Sequence, residues 1–416
     1  MNVIVQKFGG TSVRNEETRS YAAARVKHAV EEGYKVVVVV SAMGRNGDPY
    51  ATDTLLSLVG DHKSRVGKRE KDLLTSCGEV ISAVVFSEKL AELGLTAVAM
   101  TGSQAGFQTD EEFGEAKITE MSTGKVEQKL KEVDVVVVAG FQGQSPTGEI
   151  TTLGRGGSDT SATALGAAMD ASWVDIFTDV EGVMTADPRF VQKARPLKTV
   201  TYNEICNMAY QGAKVIHPRA VEIAMQAKVP IRIRSTRSES AGTLITSSAE
   251  EGSTVRDTED RMVTGIAHMA KLTQIHVHAK TYDPSLQSIV FKTMAEAGIS
   301  VDFINISPSG VVYTVPDELK DEAIEKLEAK GYKIDVISGC AKVSAVGAGM
   351  TGLPGVASKI TTALTEKEIP ILQAADSHTT IWVLVEGIHM EQAINALHQI
   401  FGLDQPTTLD QEQEKV

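Results

Sequence analysis

Runs of consecutive β-branched residues constrain the fold of this chain more than any other feature. Val36–Val40 is apolar at every position, and Val135–Ala139 repeats the pattern further along. A strand that is apolar on both alternations is buried on both faces, which is typical of a parallel sheet covered by helices. Each run passes into a loop that contains glycine, and ligands of open α/β sheets bind at that carboxyl edge. The sequence therefore predicts a doubly covered α/β domain with a ligand site along one edge.

The first predicted strand and the turn after it form a pattern that can bind phosphate. Val3–Val5 is β-branched, Lys7 follows it, Gly9 and Gly10 make the turn, and a helix is predicted over 15–33. Glycines let backbone N–H groups approach an anion closely, and the helix N-terminus adds positive potential. Lys7 adds a compact charge. The alternative is an ordinary strand and turn with a solvated lysine, and the choice depends on the motifs downstream.

Two further stretches carry candidate ligand groups. The segment 151–161 places Arg155 among glycines before a helix N-terminus, an arrangement that suits a bidentate carboxylate. Asp159 in the same segment either caps that helix or orients lysines. Glu79 lies in a long predicted helix over 69–93 with apolar neighbours. It is either an exposed glutamate or a carboxylate that faces an amino group.

Composition narrows the functional classes. The 416 residues carry a net charge of −13, which argues against nucleic acid or an anionic membrane as the main partner. No apolar run reaches membrane-spanning length, and the start lacks the apolar core of a signal peptide. Three widely spaced cysteines, Cys77, Cys206 and Cys340, favour a reduced, cytoplasmic protein.

An internal repeat follows a polar linker in the last third of the chain. Pairs such as Pro284 with Pro354 and Ile299 with Ile369 share one constant offset. Each copy is predicted as strand, loop, helix, strand, strand and helix, a small βαββαβ-like sandwich. The predicted limits are 1–246 for the first domain, 247–262 for the linker, and 263–338 and 339–416 for the two repeats.

Two patterns in the repeats suggest other functions. Gly347–Gly352 fits the GxGxxG pattern of dinucleotide-binding folds, but fewer than seventy residues remain after it, too few for such a domain. An NAD-dependent dehydrogenase is therefore a minor alternative. His276 and His278 are two apart on a predicted strand and face one side, which could be half a metal site. Because no third ligand lies nearby in the sequence, we predict two solvated histidines and no metal site.

Six motifs together resemble the aspartate kinases of the amino-acid kinase superfamily. They occur in the family's order, and the resemblance covers the whole chain: KFGGTSV at 7–13, SAMG at 41–44, GE at 78–79, LGRGGSDTS at 153–161, TDVEGVMTADPR at 178–189 and GAKVIHP at 212–218. The resemblance implies an amino-acid-kinase domain with a mainly parallel sheet covered by helices, followed by two ACT-like α/β sandwich modules. Phrases such as ILQAADSHTTIWVLV look closest to Bacillus-type enzymes.

The activity that the resemblance implies is phosphorylation of the β-carboxylate of L-aspartate with ATP. This is the first step toward lysine, diaminopimelate, threonine, methionine and isoleucine. The implied cofactors are ATP and Mg²⁺, and Mg²⁺ would come mainly with ATP because no carboxylate cage is visible. A related kinase acting on another carboxylate or carbamate is one alternative. An amino-acid-binding regulator with an inactive kinase domain is another.

The resemblance also implies roles for individual residues. Lys7, Asp159 and Lys214 would be catalytic, with Asp159 positioning the two lysines. Arg155 would hold the α-carboxylate of aspartate, and Glu79 would face its ammonium. The other substrate-binding residues would be Ser41, Thr52, Lys125, Val126, Gly156, Gly157 and Ser158. The ATP site would comprise Lys7, Phe8, Gly9, Gly10, Thr178, Asp179, Met184, Thr185, Ala186, Asp187, Pro188, Arg189, Lys214 and Val215, where many relatives have tyrosine at the position of Met184.

The ACT-like modules imply feedback by an amino acid. Diaminopimelate is the first expectation for the effector, followed by lysine or threonine, and the modules are expected to form a homo-oligomer that is at least a dimer. The positions that match the family's effector contacts are Asp283, Ser300, Val301, Asp302, Val356, Pro370, Ile371, Ser377 and His378.

Overall fold

The computed structural model describes residues 2–60, 64–213, 215–247, 262–279, 285–347, 350 and 354–405. The chain divides into two compact units. Unit 1 comprises Met1–Val183, Pro196–Ala209 and Lys214–Thr258, and unit 2 comprises Met184–Arg195, Tyr210–Ala213 and Glu259–Val416. Two short segments of the predicted first domain therefore belong to unit 2, and the predicted domain limits stay a prediction.

The first twelve strands build the sheets of unit 1. They are β1 (Val3–Phe8), β2 (Lys35–Val40), β3 (Ala97–Met100), β4 (Phe107–Thr109), β5 (Ile118–Met121), β6 (Val135–Ala139), β7 (Gln142–Gln144), β8 (Ile150–Thr152), β9 (Val174–Thr178), β10 (Thr199–Thr201), β11 (Ile231–Ser235) and β12 (Thr243–Thr246). The main sheet has eight strands in the order β10-β12-β11-β9-β1-β2-β6-β3, and β4, β5, β7 and β8 form a smaller sheet.

In the described part of unit 1, seven helices accompany these strands. They are α1 (Glu16–Glu31), α2 (Thr52–Ser57), α3 (Lys68–Glu92), α4 (Gly124–Leu130), α5 (Gly157–Ala168), α6 (Tyr202–Tyr210) and α7 (Pro218–Ala227). Helix α1 begins where the sequence predicts, because the Asn15 side chain accepts from the backbone N–H of Thr18 while the Thr18 hydroxyl accepts from that of Asn15.

The valine runs occupy the centre of the main sheet, as predicted. Every residue of β6 and all but the first residue of β2 are buried, and β1, β2, β3 and β6 pair in parallel. The mainly parallel α/β fold is thus confirmed, with one antiparallel pair between β11 and β12. The parallel pairing brings the ends of β1 and β2 and the loops after them to one edge of the sheet.

The described residues of unit 2 are built on one six-stranded sheet. Its strands are β13 (Gly265–His278), β14 (Asp302–Ser307), β15 (Gly310–Pro316), β16 (Lys333–Val346), β17 (Gln373–Asp376) and β18 (Thr380–Glu386), and its helices are α8 (Leu286–Glu296), α9 (Lys320–Glu328), α10 (Val356–Thr365) and α11 (Met390–Ile400). The strand order is β14-β15-β13-β16-β18-β17. The predicted order of helices and strands in each repeat is observed.

The two repeats share their central strands on either side of the predicted boundary between 338 and 339. That boundary falls inside β16, a continuous strand of 14 residues. The first part of β13 pairs with the second part of β16, and the second part of β13 pairs with the first part of β16. Val263 and Ile266 accordingly pack in the core of the second repeat. A continuous backbone ladder therefore joins the repeats, and cutting the sequence at residue 338 would divide one strand.

The glycine that opens the GxGxxG pattern has a packing role. A Cβ on Gly347 would lie 2.2 Å from the backbone oxygen of Met262, so the close approach of two chain segments explains this glycine. Residues 348, 349, 351 and 352 of the pattern lie outside the described residues. Among the helices that are described, none is both long and apolar enough to cross a membrane.

Candidate active site

A cavity of about 370 Å³ lies in unit 1. It is lined by Lys7, Ser41, Thr52, Glu79, Phe141, Gly154, Arg155, Gly156, Gly157, Ser158 and Asp159. Strand β1 contributes Lys7, the loop after β2 contributes Ser41, and the first turn of α5 contributes Ser158 and Asp159. The structure therefore brings together in one lining most of the residues that sequence reasoning predicted to bind aspartate, together with two of the three predicted catalytic residues.

Lys7 and Asp159 form an ion pair in this lining. The Lys7 Nζ lies 2.7 Å from the Asp159 Oδ1, and each side chain is 13% exposed. Gly9 places no side chain beside the Lys7 ammonium, where a Cβ would lie 3.4 Å from the Nζ. An ion pair this sheltered holds the lysine in one orientation while leaving its other donors open to an anion. The second predicted cation, Lys214, lies outside the described residues.

Glu79 is a buried carboxylate with one free oxygen. Its side chain is 2% exposed, and its Oε1 accepts from the backbone N–H of Ala42 at 3.1 Å. Its Oε2 has no hydrogen-bond partner among the described residues. Burial raises the pKa of this carboxyl to about 8, against the opposing effect of the Ala42 N–H. A buried and unpaired carboxylate oxygen at a cavity wall is an acceptor for a cationic ligand group.

Gly78 allows Glu79 to reach this position. A Cβ on Gly78 would lie 2.9 Å from the Ala42 Cβ and 3.0 Å from the Tyr50 backbone oxygen. The glycine therefore lets α3 pack closely against the loops after β2, although a mid-helix glycine costs about 1 kcal/mol relative to alanine.

Arg155 lies in a loop between two glycines that adopt left-handed backbone conformations. Gly154 and Gly156 have φ of 73° and 70°, which are left-handed values that favour glycine. A Cβ on Gly156 would lie only 2.2 Å from the His217 Cβ. The Arg155 side chain is exposed, and its guanidinium has no ion-pair partner within the part of the chain that the structure describes. It is therefore available for a ligand carboxylate.

Arg219 supports this loop, which sequence reasoning did not anticipate. From the first turn of α7, its guanidinium donates to the Leu153 backbone oxygen at 3.0 Å and to the Ala116 backbone oxygen at 2.9 Å. Burial lowers the pKa of Arg219 from its usual value. The sequence feature that could have indicated Arg219 is its place directly after the GAKVIHP motif, in the first turn of a helix that begins with proline.

Phe141 lines the cavity and was not predicted from the sequence. Its φ of 69° is unusual for a non-glycine residue.

Several of the predicted contacts need correction. Phe8 is fully buried and stacks on Phe177 with a centroid distance of 4.8 Å, so its side chain belongs to the core and not to an ATP site. Val126 is also fully buried, on the inner side of α4, and cannot contact aspartate with its side chain. Lys125 is exposed on the same helix and is not part of the cavity lining. Alternation and helical spacing do not reveal which apolar residues face inward at these positions.

The predicted ATP residues of unit 1 lie around the ends of β1 and β9. Thr178 ends β9, and its hydroxyl donates to the Asp179 carboxylate at 3.1 Å. Asp179 also pairs with Arg45 at 3.0 Å. Gly10 is packed tightly, because a Cβ there would lie 2.5 Å from the backbone oxygen of Gly44.

The predicted ATP residues Met184–Arg189 belong to unit 2. Thr185 is fully buried and its hydroxyl bonds to the His398 ring at 2.9 Å, while Ala186 packs in the core of the second repeat. The side chains of these two residues are therefore engaged within unit 2, and their predicted role in ATP binding stays a prediction. Asp187 accepts a bidentate pair from Arg189, which lowers the pKa of the Asp187 carboxyl. Met184 and Pro188 remain accessible, and Val215 follows the undescribed Lys214.

The predicted effector residues that the structure describes lie in the sheet of unit 2, in the loops beside it and, for Val356, at the start of α10. The Asp302 carboxylate pairs with Lys342, which is buried at 2% exposure. Val356 is buried in the core of the second repeat, so its side chain is not free to contact an effector. Gln373 donates to the Phe303 backbone oxygen at 2.5 Å, so the two edge strands meet. Ser300, Val301, Pro370, Ile371, Ser377 and His378 keep partial or full exposure, and Asp283 lies outside the described residues.

Comparison with known proteins assigns the chain to a family. The amino acid kinase family matches residues 2–235, and the ACT domain family matches residues 335–399. Aspartokinase 1 of Bacillus subtilis is 60% identical over 405 residues, which covers 97% of this chain and 100% of that protein. The chain belongs to the aspartokinases.

Other aspartokinases agree with this assignment. The aspartokinase of Geobacillus stearothermophilus is 41% identical over 97% of this chain and 98% of its own. Among solved structures, Escherichia coli aspartokinase III in complex with aspartate and ADP has a TM-score of 0.78 at 26% identity, covering 96% of this chain and 99% of that one. The same enzyme in complex with lysine and aspartate has a TM-score of 0.75 at 26% identity, covering 95% and 99%. The Bacillus-type aspartokinase resemblance seen in the sequence is confirmed.

Proposed function

We propose that this chain transfers the γ-phosphoryl group of ATP to the β-carboxylate of L-aspartate, giving 4-phospho-L-aspartate and ADP. The observation that carries the proposal is the set of charged groups in one cavity of unit 1. Lys7 is held by Asp159, Glu79 offers an unpaired buried oxygen, and Arg155 has no ion-pair partner among the described residues. A molecule with one ammonium and two carboxylates complements this set.

The roles follow from charge. Arg155 binds the α-carboxylate through its fork of donors, and Glu79 accepts from the ammonium. The β-carboxylate then remains for the chemistry, and it is already ionised at neutral pH. No general base is required, because a carboxylate oxygen attacks phosphorus directly while the bond to the bridging oxygen of ADP breaks.

Lys7 reduces the repulsion between the β-carboxylate of aspartate and the phosphates of ATP, which is the main obstacle to the reaction. Its ammonium neutralises charge on the transferring group, and Asp159 keeps it in place. The lining residues provide no cage of carboxylates for a metal, since Asp159 is engaged by Lys7 and Glu79 faces the ammonium site. Mg²⁺ would therefore be held through the ATP phosphates, and it would supply further neutralisation of the phosphate charge.

An assay for ADP release distinguishes the candidate functions. The chain is supplied with Mg-ATP and with aspartate, glutamate or acetylglutamate, and hydroxylamine traps any acyl phosphate. We expect ADP and hydroxamate in equal amounts when aspartate is the substrate, and neither product with glutamate or acetylglutamate. Product with acetylglutamate instead would favour a related kinase, and no product with any of them would favour a non-catalytic regulator.

We further propose feedback by an amino acid that binds the sheet of unit 2. The support is the ACT match over 335–399, the shared sheet of two repeats, and the lysine that is bound in the Escherichia coli relative. Diaminopimelate is our first candidate effector, followed by lysine and threonine, and the assembly is proposed to be at least a dimer. Isothermal titration with each amino acid, alone and in pairs, should show binding that lowers turnover. If none of the three bound, the proposed sensor function would be refuted.

A further inference from the structure

Three metal-ligating side chains meet on one face of the sheet of unit 2. His276 and His278 are two residues apart on β13, so both point to the same face. Asp335 on β16 lies directly opposite His276 in the antiparallel register. Directly opposite residues point to the same face of a sheet, so strand pairing supplies the third group that the sequence around the histidines lacks.

The three side chains are close enough to share one ion. Their candidate ligand atoms all lie within 4.8 Å of one another. The His278 Nε2 lies 2.5 Å from the Asp335 Oδ2, and the two imidazole rings are 3.8 Å apart between centroids. We propose that His276, His278 and Asp335 bind a first-row divalent metal ion, with Zn²⁺ as the preferred one.

The donor set decides which metals fit. Two imidazoles and one carboxylate suit Zn²⁺, Co²⁺ or Ni²⁺, whereas Mg²⁺ and Ca²⁺ require oxygen ligands almost throughout. At a tetrahedral Zn²⁺ with bonds of about 2.0–2.1 Å, ligand atoms lie about 3.3 Å apart. Modest rotation of the side chains therefore brings this set to binding distance, with water as the fourth ligand.

The surroundings leave room for the ion but also oppose it. Gly310 on β15 pairs with His278, and a Cβ there would lie 3.2 Å from the His276 Nε2, so the missing side chain keeps that nitrogen accessible. Lys333 lies opposite His278 and places a positive charge on the same face. The long lysine side chain can turn toward water, and the site is partly exposed, which indicates moderate affinity.

A metal here would join two central strands of the regulatory sheet. Because the ligands come from both β13 and β16, the ion would resist separation of these strands and stabilise unit 2 by mass action. The site lies outside the lining of the cavity in unit 1 and does not depend on the proposed phosphoryl transfer.

Titration of the full chain with Zn²⁺ tests the proposal after treatment with a chelator and in the presence of Mg²⁺. We expect one Zn²⁺ per chain from calorimetry, with affinity reduced at least tenfold in His276→Gln and in Asp335→Asn, because even the loss of an outer-shell partner costs about 10–100-fold. His28→Gln is the matched control. His28 on α1 also lies beside a carboxylate, with its Nε2 3.5 Å from the Glu32 Oε1, and this variant should bind Zn²⁺ as the unmodified chain does.

Substitution with Co²⁺ gives a second readout. Intense visible absorption typical of tetrahedral Co²⁺ should appear with the unmodified chain and disappear in both ligand variants, while thermal unfolding of the metal-free variants stays unchanged. Zinc binding that is equally tight in His276→Gln and Asp335→Asn would overturn the proposal, for example if the exposed thiol of Cys77 held the ion. Absence of stoichiometric binding by the unmodified chain would also overturn it.

Discussion

The burial of Glu79 predicts that aspartate binding depends on pH near neutrality. Burial raises the pKa of this carboxyl from 4.5 to about 8, so the empty site holds Glu79 mainly in its protonated form at pH 7. A neutral carboxyl gives little attraction to the ammonium of aspartate, whereas the ionised form pairs with it. Aspartate affinity should therefore rise as pH increases toward 8, and binding at pH 7 should release a proton.

The magnitude follows from the fraction of Glu79 that is ionised. With a pKa of about 8, that fraction is roughly one hundredth at pH 6, one tenth at pH 7 and one half at pH 8. The dissociation constant for aspartate should fall about tenfold from pH 6 to pH 7 and about fivefold from pH 7 to pH 8. In Glu79→Gln the pH dependence should vanish, and affinity at pH 8 should drop by about 2 kcal/mol, or roughly thirtyfold.

Calorimetry of aspartate binding without ATP measures both effects. Titrations at pH 7 in two buffers of different ionisation enthalpy should report release of about one proton per aspartate in the unmodified chain and none in Glu79→Gln. Glu88→Gln is the matched control, because Glu88 is an exposed carboxylate on the same helix. An affinity that stays constant from pH 6 to pH 8 would refute the assignment of Glu79 to the ammonium.

Three further substitutions test other parts of the site. Lys7→Ala removes the cation held by Asp159 and should lower kcat by about 10²–10³-fold while circular dichroism stays unchanged; near-normal turnover would exclude Lys7 from the chemistry. Gly156→Ala should destabilise unit 1 and weaken aspartate binding, because its Cβ would lie 2.2 Å from the Cβ of His217; Gly94→Ala, also at positive φ but with nothing within 4 Å, should cost about 1–2 kcal/mol of backbone strain in thermal unfolding and leave KM unchanged. Arg219→Lys loses the fork between two backbone oxygens, so KM for aspartate should rise several-fold with kcat less affected, and an unchanged KM would contradict a positioning role.

Local patterns in the sequence were sufficient to predict much of unit 1. Strands β2 and β6 are apolar at consecutive positions, so both of their faces must be buried. This pattern alone predicted the parallel sheet. Asn15 indicated the start of α1, because an N-cap side chain accepts a hydrogen bond from a backbone N–H in the first turn of its own helix. The loop around Arg155 could also be predicted from its glycines, since a left-handed backbone conformation favours glycine at Gly154 and Gly156.

The contacts between distant segments were decided by the tertiary structure. The pairing of Lys7 with Asp159 joins residues that no spacing rule connects, and the support of the glycine loop by Arg219 depends on how α7 packs. Alternation could not show that Phe8 faces the core instead of a ligand, because both faces of β1 are enclosed.

In unit 2, the line between what the sequence determined and what the tertiary structure decided is clearer still. The sequence by itself determined that His276 and His278 share a face, since the period of a strand is two residues. Only the pairing of β13 with β16 decided that Asp335 lies opposite His276. The physical reason is that periodicity fixes the orientation of side chains along one strand, whereas register between strands depends on the whole sheet and its core.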